Sequence, residues 1–226
     1  MNITFDKIQI RNAEAADAEQ LAAWWNDGAV MAHAGFPHGL GTTPEEVERQ
    51  IAGDSDEKGR GHIIVYEGQP IGEMNYRNLG NKTAEMGIKI CNPDFQEKGL
   101  GRIILSLFIQ GLFDLGYEKI VLDTNLKNTR AQHVYEKLGF RKLRVNKDSW
   151  TDQLGEMQSS VDYELTPEDF RNQTPEMQIR KISDAAKYLP RIPFVDIEKD
   201  FYEEVADNGE ELHEILLEMR SSVWPI

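Results

Sequence analysis

The sequence predicts an α/β fold: a central mixed, mostly antiparallel sheet flanked by helices, followed by a helical C-terminal extension. Three observations carry this. GHIIVYEGQPIGEMNYRN reads as two strands meeting at Glu67-Gly68-Gln69-Pro70, a hairpin signal. QEKGLGR, the apolar run IILSLFIQGLF and the β-rich EKIVLDTN follow in order, which makes one β-α-β crossover. Around Thr166-Pro167 the alternation stops, and the remainder is acidic, helix-patterned and interrupted by Pro175, Pro190 and Pro193.

The elements follow in chain order. KIQIRNAE alternates as a short strand. AADAEQLAAWWND has helical spacing, with Leu21, Trp24 and Trp25 toward one side; adjacent helical residues face different ways, so at least one tryptophan is core. TTPEEVERQIAGD carries a helix start, with Thr43 as cap, Pro44 at the first helical position and Glu46 closing a capping box. After the hairpin, TAEMGIKIC is a further strand, ended by Asn92-Pro93 because proline offers no N–H. The helix after the glycines runs to about Leu115, with Gly116 as its cap. TRAQHVYEKLG is a helix stopped by Gly139, and FRKLRVNK and QSSVDYEL are the last strands. The expected order is β-α-α-β-β-β-α-β-α-β-β over residues 1–166. Residues 167–226 form the extension, in which ADNGEELHEILLEMRSSVW reads as one amphipathic helix with Leu212, Ile215, Leu216 and Met219 as its stripe.

Composition narrows the function. With 226 residues and 40% apolar content, the chain suits one domain with an appendage, or two small domains. It has no apolar run of membrane-spanning length and a polar, acidic start unlike a signal peptide. Cys91 is the single cysteine, so no intrachain disulfide forms, and a cytoplasmic location is expected. A net charge of −14 argues against nucleic acid, which requires a basic face, and against an anionic membrane. The acidity either favours a cationic substrate or serves solubility alone. The five histidines do not cluster at ligand spacings, so no metal is expected.

The stretch QEKGLGR is the chemically informative one. A helix N-terminus leaves its first amides unpaired and partly positive. Gly99 and Gly101 remove two Cβ atoms there, and Lys98 and Arg102 add charge, so the stretch is built like a pyrophosphate cradle. It is not a P-loop, which needs Gly-Lys-Ser/Thr, nor a dinucleotide fingerprint, which needs glycine where Ile104 stands. Taken alone, the glycine pair also fits an ordinary strand-to-helix turn.

Together with NTRAQHVYEKLGF, however, QEKGLG resembles the paired signatures of the GNAT superfamily of acetyl-CoA-dependent N-acetyltransferases. The first is Gln/Arg-x-x-Gly-x-Gly/Ala. The second is an asparagine after the fifth strand, then an alanine, then a tyrosine before Lys-Leu-Gly-Phe. The resemblance covers roughly residues 7–166 and is nearest to bacterial ribosomal-protein and aminoglycoside 6'-N-acetyltransferase-like members.

The resemblance implies a set of roles. The pyrophosphate of coenzyme A rests on the amides of Glu97, Lys98, Gly99, Leu100, Gly101 and Arg102, with Gln96 opening the loop. The pantetheine arm inserts between two splayed parallel strands, against the backbone of Lys89, Ile90 and Cys91, where an amide near Lys89 polarises the thioester carbonyl. Tyr135 matches the general acid that protonates the leaving thiolate, though a tyrosine there is otherwise core. Glu85 matches the glutamate general base, with Glu73 as rival base or orienting group. Asn128 matches the asparagine linking the cofactor arm to the scaffold, and serves equally as a helix N-cap. Arg130 meets the adenosine phosphates or solvent. Cys91 is expected to be a buried strand residue and no nucleophile.

The family's acceptor site lies under the first two helices. Here that region offers Trp24, Trp25, Asp27 and His38, with Glu73 and Glu85 completing an acidic mouth and Trp150 closing it. The expected acceptor is a primary amine, of a cationic small molecule or of a protein or peptide. A homodimer is open, and the extension is a lid, a dimer arm or a small domain. Two rival classes are a non-catalytic acyl-CoA-binding module of the same fold and a protein binding another nucleotide.

Overall fold

A computed structural model describes residues 1–174. An eight-stranded sheet runs in the order β1-β2-β3-β4-β5-β6-β8-β7. Its strands are β1 (Ile3–Phe5), β2 (Ile8–Asn12), β3 (Gly59–Tyr66), β4 (Gln69–Asn78), β5 (Thr83–Ile90), β6 (Lys119–Asn125), β7 (Arg141–Thr151) and β8 (Met157–Leu165). The helices are α1 (Ala18–Asn26), α2 (Gly28–Met31), α3 (Pro44–Ala52), α4 (Leu100–Asp114) and α5 (Thr129–Lys137). All pairings are antiparallel except β5 with β6. The sequence reading missed β1, a three-residue strand paired with β2 across Asp6, and the single-turn α2; both are too short for a period to show.

Local signals set the boundaries that were legible. Thr43 Oγ1 accepts from the Glu46 amide at 3.3 Å, and the Glu46 carboxylate accepts from the Thr43 amide at 3.0 Å. The β3–β4 hairpin turns through Glu67 and Gly68, both at positive φ, the geometry of a tight two-residue turn. Gly116, at φ 94°, ends α4.

The sheet has two covered faces. Helix α4 buries Ile104, Leu105, Phe108, Ile109 and Leu112 against Ile64, Met74, Ala84, Met86 and Ile120. At about 2 kcal/mol per side chain these five contribute on the order of 10 kcal/mol, an upper figure because unfolded chains bury some area too. On the other face, α1 and α3 bring Leu21, Trp24 and Val47 against Ile63, Val65 and Cys91. Alternation therefore sends even-numbered residues of β5 to α4 and odd-numbered ones toward α1.

The segment after β8 continues on the same core. Phe170 packs edge-on against Phe113 at 5.7 Å, and the Gln173 amide donates to Ser106 Oγ at 3.0 Å. The amphipathic helix expected near the C-terminus lies outside the described residues. Among the described residues no helix is long and apolar enough to cross a membrane.

Candidate active site

The turn between β5 and α4 is shaped by its glycines. Gly99 caps α4 at φ 75°, a left-handed conformation that glycine adopts without strain. Gly101 has an ordinary φ. A Cβ there would meet only Ile90 Cδ1, at 3.7 Å, so its bareness leaves room rather than relieving a clash. Gln96 ties the turn back to β5, its amide donating to the Ile90 carbonyl at 2.8 Å. Lys98 lies over the Phe95 ring, and Leu100 packs on the core. Helix α4 thus presents its first amides beside a turn carrying Lys98 and Arg102, an arrangement that fits a diphosphate.

Beside this turn the sheet opens. The parallel β5–β6 ladder holds only Thr83↔Lys119, Ala84↔Ile120 and Glu85↔Val121. Beyond Glu85 both strands continue, β5 to Ile90 and β6 to Asn125, without pairing to each other. On its other side β5 stays zipped to β4 in unbroken register from Ala84 to Ile90, and the Cys91 amide donates to the Ile71 carbonyl at 2.9 Å. Antiparallel hydrogen bonding alternates, so the amides of Lys89 and Cys91 are turned to β4, and those of Ile88 and Ile90 face the opening. The donor expected near Lys89 thus narrows to Ile88 or Ile90, and the Cys91 amide is taken by β4. Burial, with help from Glu73, pushes the Cys91 thiol up to about 12, so no thiolate is available near neutral pH.

Helix α5 places Tyr135 on the α4 side, against Phe140 and Tyr163. The residue is 8% exposed, and burial, then the charge of Asp123, pushes its hydroxyl up to about 12. It therefore remains a proton donor throughout the physiological range. Asn128 caps α5, accepting from the Ala131 amide at 3.2 Å. Arg130 reaches back to Glu97 at 2.8 Å, so its partner is the glycine turn's own carboxylate.

The acceptor face is that of α1. Trp24 is core, at 9% exposure, which removes it from the substrate-contacting set. Trp25 donates from Nε1 to Glu73 at 2.9 Å, and Lys89 Nζ reaches the same carboxylate oxygen at 2.8 Å. Glu73 is 5% exposed and stands opposite Lys89 in the β4–β5 register. Glu85 stands opposite Arg77 and pairs with it. Asp27 caps α2, accepting from the Ala29 amide at 2.8 Å. The acidic mouth does not assemble: Glu73 on β4 faces Lys89 on β5, Glu85 on β5 faces Arg77 on β4, and the two pairs lie four residues apart along the ladder, roughly 13 Å at about 3.3 Å per residue. Each carboxylate already has a cation.

The roof is a loop pair. Gln153, in the β7–β8 turn, accepts from the His38 amide at 2.8 Å and donates to the Gly39 carbonyl at 3.0 Å. Trp150 packs on Gly35, where a Cβ would fall 2.3 Å from its ring. His38 and Trp150 thus belong to this closure, with the His38 side chain exposed. Beneath α1 and α3 lies a cavity of about 440 Å³, whose lining includes Trp25, Glu73, Asn75 and Arg77.

Sequence reasoning missed Asp123. It lies on β6 opposite Asp162, on the face that Glu85 shares, and lost hydration, then Glu85 and Asp162, hold its carboxyl above the usual range. Its signal was the alternation in IVLDTN, where Val121 and Asp123 share a face. Gln153 and Asn75 carry no motif and were not findable.

A model of the acetyltransferase (GNAT) domain matches residues 7–141. Over 67 residues the chain is 33% identical to a mycothiol acetyltransferase of Cellulomonas flavigena, covering 30% of this chain and 19% of that protein. Over 57 residues it is 35% identical to the ribosomal protein bS18-alanine N-acetyltransferase of Salmonella typhimurium, covering 25% and 38%. The chain thus spans about a fifth and two fifths of these relatives' lengths. In structure it resembles a spermidine N-acetyltransferase from Vibrio cholerae in complex with CoA and spermine, with TM-score 0.64, 21% identity and coverage of 72% and 97%. It also resembles a ribosomal L7/L12 alpha-N-protein acetyltransferase in complex with coenzyme A, with TM-score 0.63, 16% identity and coverage of 74% and 98%. At these identities the likeness is one of fold. The family model covers more than half of the 226 residues, from the second strand through the helix that carries Tyr135, and the chain belongs to the GNAT acetyltransferase family.

Proposed function

We propose that the chain is an N-acetyltransferase that moves the acetyl group of acetyl-CoA directly to a primary amine within a ternary complex. The observation that carries this is the end of the β5–β6 ladder at Glu85↔Val121. The unpaired stretch beyond it leads from the glycine turn into the sheet.

In this reading the diphosphate sits on the first amides of α4, and the pantetheine arm lies along β5 as an added strand. One of the Ile88 and Ile90 amides binds the thioester oxygen as it gains charge, and the other holds the arm. Glu85, at the closed end of the opening and on the acceptor face, takes the amine proton through water, with Asp123 across the gap holding the local field negative. The nitrogen–carbon bond forms, the carbon–sulfur bond breaks, and Tyr135 gives its proton to the departing sulfur. Glu73, bound by Trp25 and Lys89 beside the unpaired stretch of β5, is the rival base or an orienting group. The neighbours are named as spermidine, mycothiol and ribosomal-protein acetyltransferases, so they leave the class open.

The test is thiol release from acetyl-CoA with pools of amines and short peptides, with Tyr135→Phe alongside. One pool is expected to turn over, and the variant to lose about 10²–10⁴-fold in kcat. Acetyl-CoA binding with no turnover in any pool would favour the non-catalytic module instead, and full activity in Tyr135→Phe would remove that residue's role.

A further inference from the structure

The cavity beneath α1 and α3 has charge at both ends. At one end Glu73 is held by Trp25 and Lys89, the latter on the strand that borders the opening. Toward the other end stands Lys58, from the α3–β3 connection, whose carbonyl accepts from the Asn78 amide five residues along β4 from Glu73, and Arg49, from α3, also lines the cavity. Neither forms a salt bridge among the described residues, although Glu45 and Glu46, one turn earlier on α3, act on the Arg49 charge. Arg49 spends only Nε, on the Glu45 carbonyl at 3.2 Å. Asp54, the other lining carboxylate, is engaged by the Gly61 amide at 2.7 Å. Two lining cations without a salt bridge stand out in a chain of net charge −14.

We infer that this cavity holds the body of the acceptor, and that the acceptor is a small amine bearing an anionic group, a carboxylate or a phosphate, bound by Arg49 and Lys58. This rests on the acetyl-transfer reading above, with Glu73 rather than Glu85 as the base, because the amine end is presented at Glu73, opposite Lys89 on β5. The volume of about 440 Å³ lies in the usual range of small-ligand sites. A polyamine would set its distal ammonium against two cations. The floor is open because Gly61 has no side chain: a Cβ there would meet Asp54 Oδ2 at 3.5 Å and Ala13 Cβ at 3.8 Å, ordinary contacts. Gly61→Val therefore fills the cavity without a backbone clash at Cβ.

The experiment compares hexylamine, 1,6-diaminohexane, 6-aminohexanoate and 6-aminohexyl phosphate as acceptors in thiol release. Binding of each is measured by calorimetry with CoA present. The anionic amines should exceed hexylamine in kcat/KM by at least about tenfold, and the diamine should fall below it. In Arg49→Gln/Lys58→Gln that preference should shrink to about twofold, and Gly61→Val should abolish binding of the anionic probes. Preference for carboxylate over phosphate, or the reverse, identifies the group. Turnover with no anion preference, or a preference unchanged in the double variant, would overturn the inference while leaving acetyl transfer intact. Cavity-dependent binding of anionic amines without turnover would keep the inference and remove the catalytic reading. No binding of either anionic probe would overturn it.

Discussion

Gly101→Ala separates cofactor binding from folding. Gly101 is the second residue of α4 and has an ordinary backbone conformation. Alanine is about 1 kcal/mol better than glycine inside a helix, and less than that in a first turn, so about 0.5 kcal/mol of added stability is expected. That corresponds to a Tm rise of about 1–2 °C for a domain of this size. The new methyl meets only Ile90 Cδ1, at 3.7 Å, and stands between the turn and the β5–β6 opening. There it occupies the space proposed for the diphosphate and the start of the arm. A loss of about tenfold in CoA affinity follows, equivalent to about 1.4 kcal/mol. Gly99→Ala is the contrast. Its φ of 75° puts a side chain in the left-handed region, so stability should fall by about 1–2 kcal/mol together with affinity. Thermal unfolding with and without CoA, and calorimetric titration, read both quantities. An unchanged CoA Kd in a Gly101→Ala protein of normal Tm would refute the placement of the diphosphate.

Two further outcomes follow from buried polar groups. Lys89→Met leaves the Glu73 carboxylate buried with only the Trp25 N–H, which should cost about 3–5 kcal/mol in urea unfolding; adding Glu73→Gln should recover most of it, and additive losses would contradict the pairing. His62 is buried between Phe108 and Tyr76 with neither ring nitrogen partnered, and burial, then the Met1 ammonium, pulls it from 6.5 to about 4. Its folded pKa lies below the unfolded one, so the unfolded chain binds more protons between these values. Stability is full above about pH 6.5 and declines by about 3 kcal/mol as pH falls to about 4, with the Arg60 backbone raising the pKa, its charge lowering it and Asp56 raising it. His62→Phe should flatten that decline, and an identical pH profile in the variant would contradict it.

What was legible in the sequence was what neighbouring residues decide. Thr43, Pro44 and Glu46 announce α3, Glu67-Gly68 announces the hairpin, and the bare turn at Gly99 and Gly101 announces the start of α4. Asn128 was legible as a cap for the same reason. Register was not legible, and the details of the site depend on it. Whether an amide at 88, 89 or 90 faces the opening turns on which β5 residues bond to β4, a choice shown by the Cys91–Ile71 bond. The cations opposite Glu73 and Glu85 come from cross-strand pairing, so the acidic mouth looked open when both carboxylates were already paired. Trp24 and Trp25 were indistinguishable by period, and only the packing of α1 on β3 and β4 separates core from site.

The most direct measurement is residue-resolved amide exchange with and without CoA. If the arm lies in the β5–β6 opening, exchange at Ile88, Ile90 and the first turn of α4 should slow on addition of CoA. Lys89 and Cys91, already bonded to β4, should change little. Protection confined to Lys89 and Cys91, or absent from both the opening and the glycine turn at saturating CoA, would contradict the account.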